Sequence, residues 1–359
     1  MSRVSKRDHI LVGLDIGTTK ICAIVAEVPE EGPLNIIGVG SCPSRGLRKG
    51  VVVNIESTVE SIKKAVEEAE LMAAVQINSV YTGIAGSHIS GENLKGVVAL
   101  KKQEVTRDDI SRAVESARTL AVIPHERRIL HVLPREFMVD DQEGVREPLG
   151  MSGNRLEVNV HVITGAVTSA QNIIKSVNRA GLDVVDIILQ PLASSEAVLS
   201  AEERELGVAM VDLGGGTTDL AIFLDGSIRH TAVLPIGGQN LTKDLAIGLL
   251  TSQTDAEKIK VQHGIARTEL VHGHQMVEVP SVGDRPPRQF TRRDIAEILE
   301  PRVEEMFDLV KREIVRAGYE GMLGAGVVIT GGTSLLEGMP DAAERGLNLP
   351  ARRGMPTGI

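Results

Sequence analysis

The chain has 359 residues and a hydrophobic content of 42%, enough for a sizeable core in two or three domains. Its formal net charge of −9 and its 2% of aromatic residues argue against a nucleic-acid partner, because phosphate binding relies on clustered Lys and Arg and base stacking relies on aromatic rings. The polar N-terminus, residues 1–9, has no signal-peptide core and no apolar run reaches bilayer-spanning length, so we expect a cytoplasmic protein.

The first predicted element is a strand that runs into a glycine turn. Apolar residues 10–12 lead into residues 15–20, which read Asp-Ile-Gly-Thr-Thr-Lys. Glycine tolerates positive φ and leaves no Cβ in the way of a ligand, so backbone N–H groups and threonine hydroxyls can converge on phosphate oxygens. An aspartate at the end of the strand suits a hydrated magnesium ion. For this motif taken alone, an ordinary glycine hairpin is the alternative.

A helix and a returning strand follow this turn. Apolar residues recur at helical spacing between residues 54 and 74, which predicts a helix. Ser57 with Glu60 three residues later predicts a capping box near the start of that helix. Residues 78–84 form a short apolar run, which predicts a strand that returns to the sheet.

Residues 84–163 have the pattern of a small α+β insertion. Predicted strands span residues 97–100, 129–132 and 156–163, and Thr106 is predicted to cap a helix between the first two. The last of these strands alternates apolar and polar residues strictly, which predicts that one of its faces is exposed to water.

The chain then continues with a helix and a second glycine motif. Thr168 is the predicted N-cap of the helix, which should end at residues 180–181. An apolar strand at residues 208–211 leads into residues 212–219, which read Asp-Leu-Gly-Gly-Gly-Thr-Thr-Asp. Two such loops, each at the end of an apolar strand, predict a duplicated fold that grips one nucleotide from both sides.

The segment after the second motif repeats the plan of the first half. Strands are predicted at residues 220–224 and 228–234, followed by a helical and polar region over residues 240–288. Apolar residues at helical spacing over residues 295–310 predict a long amphipathic helix, which Pro301 should kink or split.

A third glycine turn comes near the end of the chain. A strand that enters a turn is predicted for residues 327–334, which read Val-Val-Ile-Thr-Gly-Gly-Thr-Ser. This turn could lie beside the adenine and the ribose of a nucleotide. The order of two phosphate loops and one adenosine loop resembles the actin-like ATPase superfamily, which includes actin, the large heat-shock chaperones and the sugar kinases. The resemblance implies an α/β, actin-like (ribonuclease H-like) two-domain fold with a nucleotide cleft and a small α+β insertion.

Within this superfamily the chain resembles the FtsA family of bacterial cell-division proteins over almost its whole length. Three segments carry the resemblance: residues 12–20, residues 147–165, which begin Glu-Pro-Leu-Gly-Met-Ser-Gly, and residues 234–244, which begin Leu-Pro-Ile-Gly-Gly. The middle segment is far more specific than the phosphate loops, which the whole superfamily shares. The resemblance divides the chain into four predicted units. They are residues 1–83 plus 164–195 (first actin-like domain), 84–163 (inserted subdomain), 196–233 plus 306–359 (second actin-like domain) and 234–305 (smaller subdomain of the second half).

The end of the chain departs from the family pattern. FtsA-like proteins continue past the adenosine loop into further elements, a linker and an amphipathic helix that binds the membrane. Here residues 340–359 are interrupted by Pro340, Pro350 and Pro356, and they offer no helical stripe to bury. We therefore expect a truncated chain with an incomplete second domain, in which the membrane-binding helix is absent.

Carried over position by position, the resemblance implies a site for ATP and Mg²⁺. The implied cofactor-binding residues are Asp15, Gly17, Thr18, Thr19, Lys20, Asp212, Gly214, Gly215, Gly216, Thr217, Glu257, Lys260, Gly331, Gly332 and Thr333. Asp15 and Asp212 would approach magnesium through water. Glu257 and Lys260 would reach the ribose, with a solvated helix face as the alternative. Gln190 would position the attacking water, and because glutamine is a poor general base, any ATPase activity should be slow.

The implied function is that of an ATP-binding protein that assembles at the division ring and links FtsZ filaments to the cytoplasmic membrane. FtsZ would be held by its C-terminal tail on residues 234–305, where basic residues near Phe290 suit an acidic and apolar peptide. These basic residues are Arg285, Arg288, Arg292 and Arg293. The resemblance also implies head-to-tail self-association through residues 84–163 and contacts with other division proteins.

Two alternatives use the same fold. Another actin-like scaffold, of the pilus-assembly or rod-shape type, is disfavoured by residues 147–165. A sugar-kinase-like phosphotransferase would need an aspartate base facing the acceptor hydroxyl, and the sequence places no aspartate in that role apart from the two magnesium candidates.

Overall fold

The computed structural model of the chain describes residues 10–283 and 285–358. The predictions for residues 1–9, and the inclusion of Ile359 in the last domain, lie outside the described residues. The strands are β1 (Ile10–Ile16), β2 (Lys20–Glu27), β3 (Asn35–Pro43), β4 (Leu47–Arg48), β5 (Val51–Val52), β6 (Ser79–Ile84), β7 (Ser90–Ala99), β8 (Arg127–Val139), β9 (Gln142–Val145), β10 (Arg155–Ala166), β11 (Asp183–Leu189), β12 (Val208–Leu213), β13 (Thr218–Leu224), β14 (Ser227–Leu234), β15 (Met276–Val279), β16 (Arg288–Thr291), β17 (Val327–Thr330) and β18 (Ala351–Arg353). The α-helices are α1 (Ile55–Ala73), α2 (Arg107–Leu120), α3 (Val167–Arg179), α4 (Gln190–Val198), α5 (Ala201–Leu206), α6 (Gly238–Gly248), α7 (Gln253–His263), α8 (Arg292–Arg316) and α9 (Met339–Leu347).

The first half is built on a five-stranded sheet in the order β11-β6-β1-β2-β3. Strands β1, β2 and β3 are antiparallel neighbours, whereas β6 runs parallel to β1 and β11 runs parallel to β6. Parallel strands end at the same edge of a sheet, where α/β proteins bind their ligands. The glycine turn after β1 therefore lies at the same edge as the start of α4, which follows β11.

The second half is built on a five-stranded sheet in the order β14-β13-β12-β17-β18. Strands β12, β13 and β14 are antiparallel neighbours, and β17 and β18 run parallel to β12. The two sheets thus share one plan, strand for strand. This confirms the duplicated α/β fold predicted from the two glycine motifs.

The two sheets differ in how their faces are covered. The first sheet packs one face on α1 and α3, while Leu11 and Ile24 on its other face remain 42% and 41% exposed. The second sheet is covered on both faces, by α6, α8 and α9 on one side and by α4 and α5 on the other. All the apolar residues of β12 are consequently buried.

A third sheet, in the order β7-β10-β8-β9, forms between β6 and α3 in the chain and is covered by α2 on one face. The prediction that one face of β10 is exposed to water is wrong: Glu157 is 5% exposed and His161 is 1% exposed. The polar face of β10 packs toward β14 of the second half, where His161 Nε2 lies 3.0 Å from Thr231 Oγ1. The residues of β10 do alternate between its two faces, but the polar face contacts strand β14 rather than solvent.

Two of the three predicted helix starts differ from the structure. Asn54, not Ser57, caps α1, and its Oδ1 accepts a hydrogen bond of 3.0 Å from the backbone N–H of Ser57. Helix α3 begins at Val167 without a side-chain cap, one residue before the predicted cap at Thr168. The predicted cap of α2 is confirmed, because Thr106 forms a capping box with Asp109.

The second half contains further departures from the predicted elements. The alternative that Pro301 splits the helix is wrong, because α8 continues through Pro301 as one helix, with Leu299 and Val303 on either side buried in the core. The region predicted as helical and polar, residues 240–288, holds α6 and α7 but also the hairpin strand β15.

Residues 340–359, predicted to lack a helical stripe, hold all of helix α9 except its first residue, and Pro340 occupies the first turn, where proline is tolerated. Its apolar side chains, including Met339 and Leu347, are buried in the core of the second half. Among the helices of residues 10–283 and 285–358, none is both long and apolar enough to cross a membrane.

Candidate functional site

A cavity of about 840 Å³ lies between the two halves. Every residue predicted to bind the cofactor, together with Gln190, lines this cavity. The lining therefore combines the turn after β1, the turn after β12, helix α7 and the turn after β17, which are remote from one another in the chain.

The two glycine loops face each other across the cavity. The first loop is closed by a hydrogen bond of 3.0 Å from Gly17 N to Lys20 O. In the second loop, a Cβ added to Gly216 would lie 2.7 Å from Thr18 Oγ1 of the first, and one added to Gly215 would overlap Thr19. Only glycine allows the backbone of one half to approach the threonine side chains of the other so closely.

Three aspartates converge on the phosphate side of the cavity. Asp15 ends β1 and Asp212 ends β12, while Asp219 lies directly across from Asp212 in the β12–β13 pair. Protein surrounds the Asp15 carboxylate on most sides although one side is open to the cleft, and this desolvation, with repulsion from Asp212, raises the pKa of Asp15 to about 6. Burial also raises the pKa of Asp212, and burial with repulsion from Asp212 raises that of Asp219 well above its usual value.

Asp219 is a site residue that the sequence reasoning missed, although it closes the second glycine motif. Its carboxylate accepts a hydrogen bond of 3.2 Å from Thr217 Oγ1, and its other oxygen, Oδ1, is buried without a hydrogen-bond partner. A divalent cation near the three carboxylates would relieve their repulsion, so this donor set fits a magnesium ion. Within the described part of the chain, no three acidic, histidine or cysteine side chains are arranged as direct metal ligands.

Helix α4 contacts the aspartates of both halves. Gln190 in its first turn donates a hydrogen bond of 2.5 Å from Nε2 to Asp15 Oδ1. Ser194, one turn later, donates a hydrogen bond of 2.8 Å from Oγ to Asp212 Oδ2. The sequence reasoning identified Gln190 but not Ser194, because the partner of Ser194, Asp212, belongs to the other half and no local pattern pairs the two.

The opposite end of the cavity is lined by the turn after β17 and by α7. Thr333 Oγ1 donates a hydrogen bond of 2.9 Å to Gly214 O, which joins the adenosine-side turn to the second phosphate loop. Lys260 Nζ lies 2.7 Å from Glu257 Oε2 and donates to Gly238 O at 3.2 Å. The Lys260 side chain is only 12% exposed, so it belongs to the cavity wall rather than to a solvated helix face.

The four arginines predicted to bind a partner peptide do not share one environment. Arg292 lines the cavity and bonds to Glu337 at 2.5 Å and to His263 O at 3.1 Å. Arg288 stacks over Phe290 with its Cζ 5.4 Å from the ring centroid. Arg285 and Arg293 are exposed, so these two are the members of the set that face solvent.

Comparison with family models gives two matches that together cover residues 86–164 and 209–358. The first is described as an SHS2 domain inserted in FtsA and the second as cell division protein FtsA. The chain is also 52% identical over 350 residues to cell division protein FtsA of Pseudomonas aeruginosa, covering 98% of this chain and 84% of that protein. FtsA of Escherichia coli K12 is 46% identical over 357 residues, covering 98% of this chain and 85% of the relative.

Solved structures share the fold at much lower identity. The PilM–PilN type IV pilus biogenesis complex matches with a TM-score of 0.68 at 17% identity, over 96% of this chain and 87% of that chain. MreB5 of Spiroplasma citri bound to ADP matches with a TM-score of 0.58 at 13% identity, over 97% of this chain and 92% of that chain. These likenesses show the fold alone, and together with the match to the inserted domain they confirm the actin-like α/β fold with an insertion that was predicted from the sequence.

Proposed function

The chain belongs to the FtsA family of cell division proteins, and from that premise we propose that it binds ATP with Mg²⁺, assembles with its own copies and links FtsZ filaments to the cytoplasmic membrane. The observation that carries the proposal is that all the residues implied by the three loops line one cavity between two sheets of the same plan. Its volume, about 840 Å³, lies in the range of pockets that hold small ligands and cofactors.

The ends of the cavity suit different parts of the nucleotide. The facing glycine loops present backbone N–H groups and the hydroxyls of Thr18 and Thr19, which are donors for phosphate oxygens. Lys20 adds a positive charge at the same place. The turn after β17, with the Glu257–Lys260 pair, offers acceptors and a donor for ribose hydroxyls.

Magnesium would be held through water by Asp15 and Asp212, with Asp219 as a third carboxylate behind them. The bound ion would neutralise charge on the phosphates. Gln190 is held on Asp15 rather than left free to polarise water, and an amide is a weak base, so we expect hydrolysis to be slow at most.

A test of nucleotide binding uses Gly332→Val. A Cβ added at Gly332, which lines the cavity, meets no protein atom within 4 Å, so we expect valine to be accommodated there and to occupy space that the ligand needs. We expect calorimetry with ATP and Mg²⁺ to show at least a tenfold loss of affinity, while the unfolding midpoint stays at the parent value. Equal affinity in Gly332→Val and the parent would place the nucleotide elsewhere.

A companion variant, Gly215→Val, addresses the phosphate side. It adds a side chain where the backbone must approach phosphate, and it also collides with Thr19 of the other half. We expect it to lose nucleotide binding as well, with a lowered unfolding midpoint. Retention of full affinity in this variant would remove the glycine loop from the site.

For the FtsZ tail, the exposed arginines of residues 234–305 offer the basic surface. Arg292 is engaged with Glu337 at the cavity wall, so its charge reversal would disturb the nucleotide site as well. The double variant Arg285→Glu/Arg293→Glu avoids that contact. We expect it to weaken binding of an acidic and apolar tail peptide roughly tenfold at low salt. Lys311→Glu/Arg312→Glu, at two exposed positions near the far end of α8, is the charge-matched control.

For self-association, the inserted sheet offers an exposed apolar side chain beyond α2. Val122 is 92% exposed. We expect Val122→Glu to weaken filaments seen by electron microscopy, whereas Leu71→Glu, on the 84%-exposed Leu71 of α1, controls for the added charge. Deletion of residues 84–163 would be a less specific test, because it would also expose the surface of β14 on which Thr231 contacts His161. Filaments of normal repeat in Val122→Glu would assign the contact to another surface.

Family membership sets the two alternative functions aside. The pilus-assembly and rod-shape likenesses are below 20% identity and show the fold alone. Within the described residues, the aspartates that line the cavity are Asp15, Asp212 and Asp219, and all three are proposed to lie near magnesium. A phosphotransferase would need a further aspartate as the base for its acceptor hydroxyl, so this function is disfavoured.

A further inference from the structure

Helix α4 connects the two halves through one of its faces. It begins directly after β11 of the first sheet and packs on β12, β13 and β17 of the second. Residues four apart on a helix share a face, so Gln190 and Ser194 both point to the cavity that they line. Each of them holds an aspartate, Asp15 from the first half and Asp212 from the second.

Both oxygens of the Asp212 carboxylate have a close neighbour, and one of them accepts a hydrogen bond from a side chain. Ser194 Oγ donates a hydrogen bond of 2.8 Å to Oδ2. The other oxygen, Oδ1, lies against the backbone of Gly331, where φ is +83° and any Cβ would overlap it. The carboxylate therefore cannot rotate without breaking the serine contact or moving the turn after β17.

The surroundings of Asp212 make this hydrogen bond more important than one at a free surface. Asp212 lies across from Asp219 in the β12–β13 pair, and like charges directly opposite in a sheet repel each other. Gln190 donates to Asp15 rather than to Asp212. The Ser194 hydroxyl is thus the donor that holds the Asp212 carboxylate in place beside this repulsion.

We infer that Ser194 is a positioning residue of the nucleotide site, whose hydroxyl holds the Asp212 carboxylate in the orientation that accepts hydrogen bonds from water bound to magnesium. The inference rests on the proposed binding of ATP with Mg²⁺. Groups that orient a metal's ligands in this way typically change metal affinity by about 10–100-fold when they are removed.

The test compares ATP affinity by calorimetry in Mg²⁺ and in EDTA for the parent and three variants. In Ser194→Ala we expect the gain in affinity that Mg²⁺ produces to fall about tenfold, with affinity in EDTA unchanged. Ser194→Thr keeps the hydroxyl and should restore most of the gain. Ser195→Ala is the matched control, because the Ser195 hydroxyl donates to Pro191 O at 2.6 Å within the helix and not to an aspartate.

The possible outcomes separate this inference from the proposed function. A selective loss of the Mg²⁺-dependent gain in Ser194→Ala, rescued by threonine, supports it. An equal gain in Ser194→Ala and the parent overturns the inference and leaves nucleotide binding standing. An equal loss in Ser195→Ala overturns it too, because the effect would then come from helix packing. Failure of the parent to bind ATP overturns both.

Discussion

The two halves have sheets with the same strand order, but the faces of these sheets are covered to different extents. In the second half β12 contributes a nearly continuous apolar run that is buried on both faces, whereas in the first half β1 alternates and leaves Leu11 42% exposed. A strand buried on both faces is expected to be apolar throughout, and a strand buried on one face to alternate. The comparison teaches that a shared topology does not impose a shared core, and that equivalent substitutions should have unequal effects in the two halves.

The largest expected difference concerns apolar side chains on equivalent strands, β13 and β2, each of which lies beside the central strand of its sheet. Leu220 of β13 is fully buried, so Leu220→Ala should lower the free energy of unfolding by about 2–5 kcal/mol. Ile24 of β2 is 41% exposed on the open face, and Ile24→Ala should lower it by at most about 1 kcal/mol. Guanidinium denaturation of both variants measures the difference. Equal losses would mean that the open face is covered in solution.

A second difference concerns the seam between the inserted sheet and the second half. His161 is buried between Asn93 and Thr231, and burial lowers its pKa to about 3, so the ring is neutral and needs a donor at Nε2. Thr231→Val removes that donor and should lower the free energy of unfolding by about 1–3 kcal/mol. Thr231→Ser keeps the hydroxyl and is the control. Parent-like stability of Thr231→Val would show that the seam is open in solution.

A smaller difference in stability is expected between variants of the observed and the predicted N-cap of α1, the helix that packs on the first sheet. Asn54→Ala removes the side chain that accepts from Ser57 N and should lower the free energy of unfolding by about 1 kcal/mol. Ser57→Ala should change it by no more than about 0.5 kcal/mol. Thermal unfolding of the two variants side by side decides between the caps, and a larger loss in Ser57→Ala would favour the sequence prediction.

The last expected effect is the part of a pH dependence that Asp15 of the first half contributes, alongside Asp212 and Asp219 of the second half, whose pKa values are raised as well. The pKa of Asp15 rises from 3.8 to about 6 on folding, so the folded protein binds more protons than the unfolded chain between these values. Stability without magnesium should therefore fall as pH rises from about 4 to 6 on account of this group. Asp15→Asn should reduce that slope, measured by thermal unfolding in EDTA. An identical slope in the variant would assign it to other groups.

The sequence predicted best what neighbouring residues determine. The turns after β1, β12 and β17 follow from glycine and threonine at the ends of apolar strands, and the fold class and the cavity lining follow from their order. It predicted poorly what depends on tertiary partners. Nothing local indicates that β14 covers the polar face of β10, or that α9 packs on the core.

The same limit explains the residues that were missed or misjudged. Ser194 is one polar residue in a short helix until Asp212 of the other half is placed beside it. Pro301 is a helix breaker by its own chemistry, but buried residues on both sides of it keep α8 in one piece. Arg292 would be expected at the surface because arginine is charged, yet its ion pair with Glu337 holds it at the cavity wall.

The inserted sheet ties together two bodies between which the cleft lies. By chain connectivity it belongs to the first half, since it leaves after β6 near Gly86 and returns at Gly165 into α3. By hydrogen bonds it also holds the second half, through His161 with Thr231 and through Ser227 Oγ to Arg135 O at 2.8 Å. A widening of the cleft that moves the second half away from the inserted sheet must therefore break these bonds or bend the two connections to the first half.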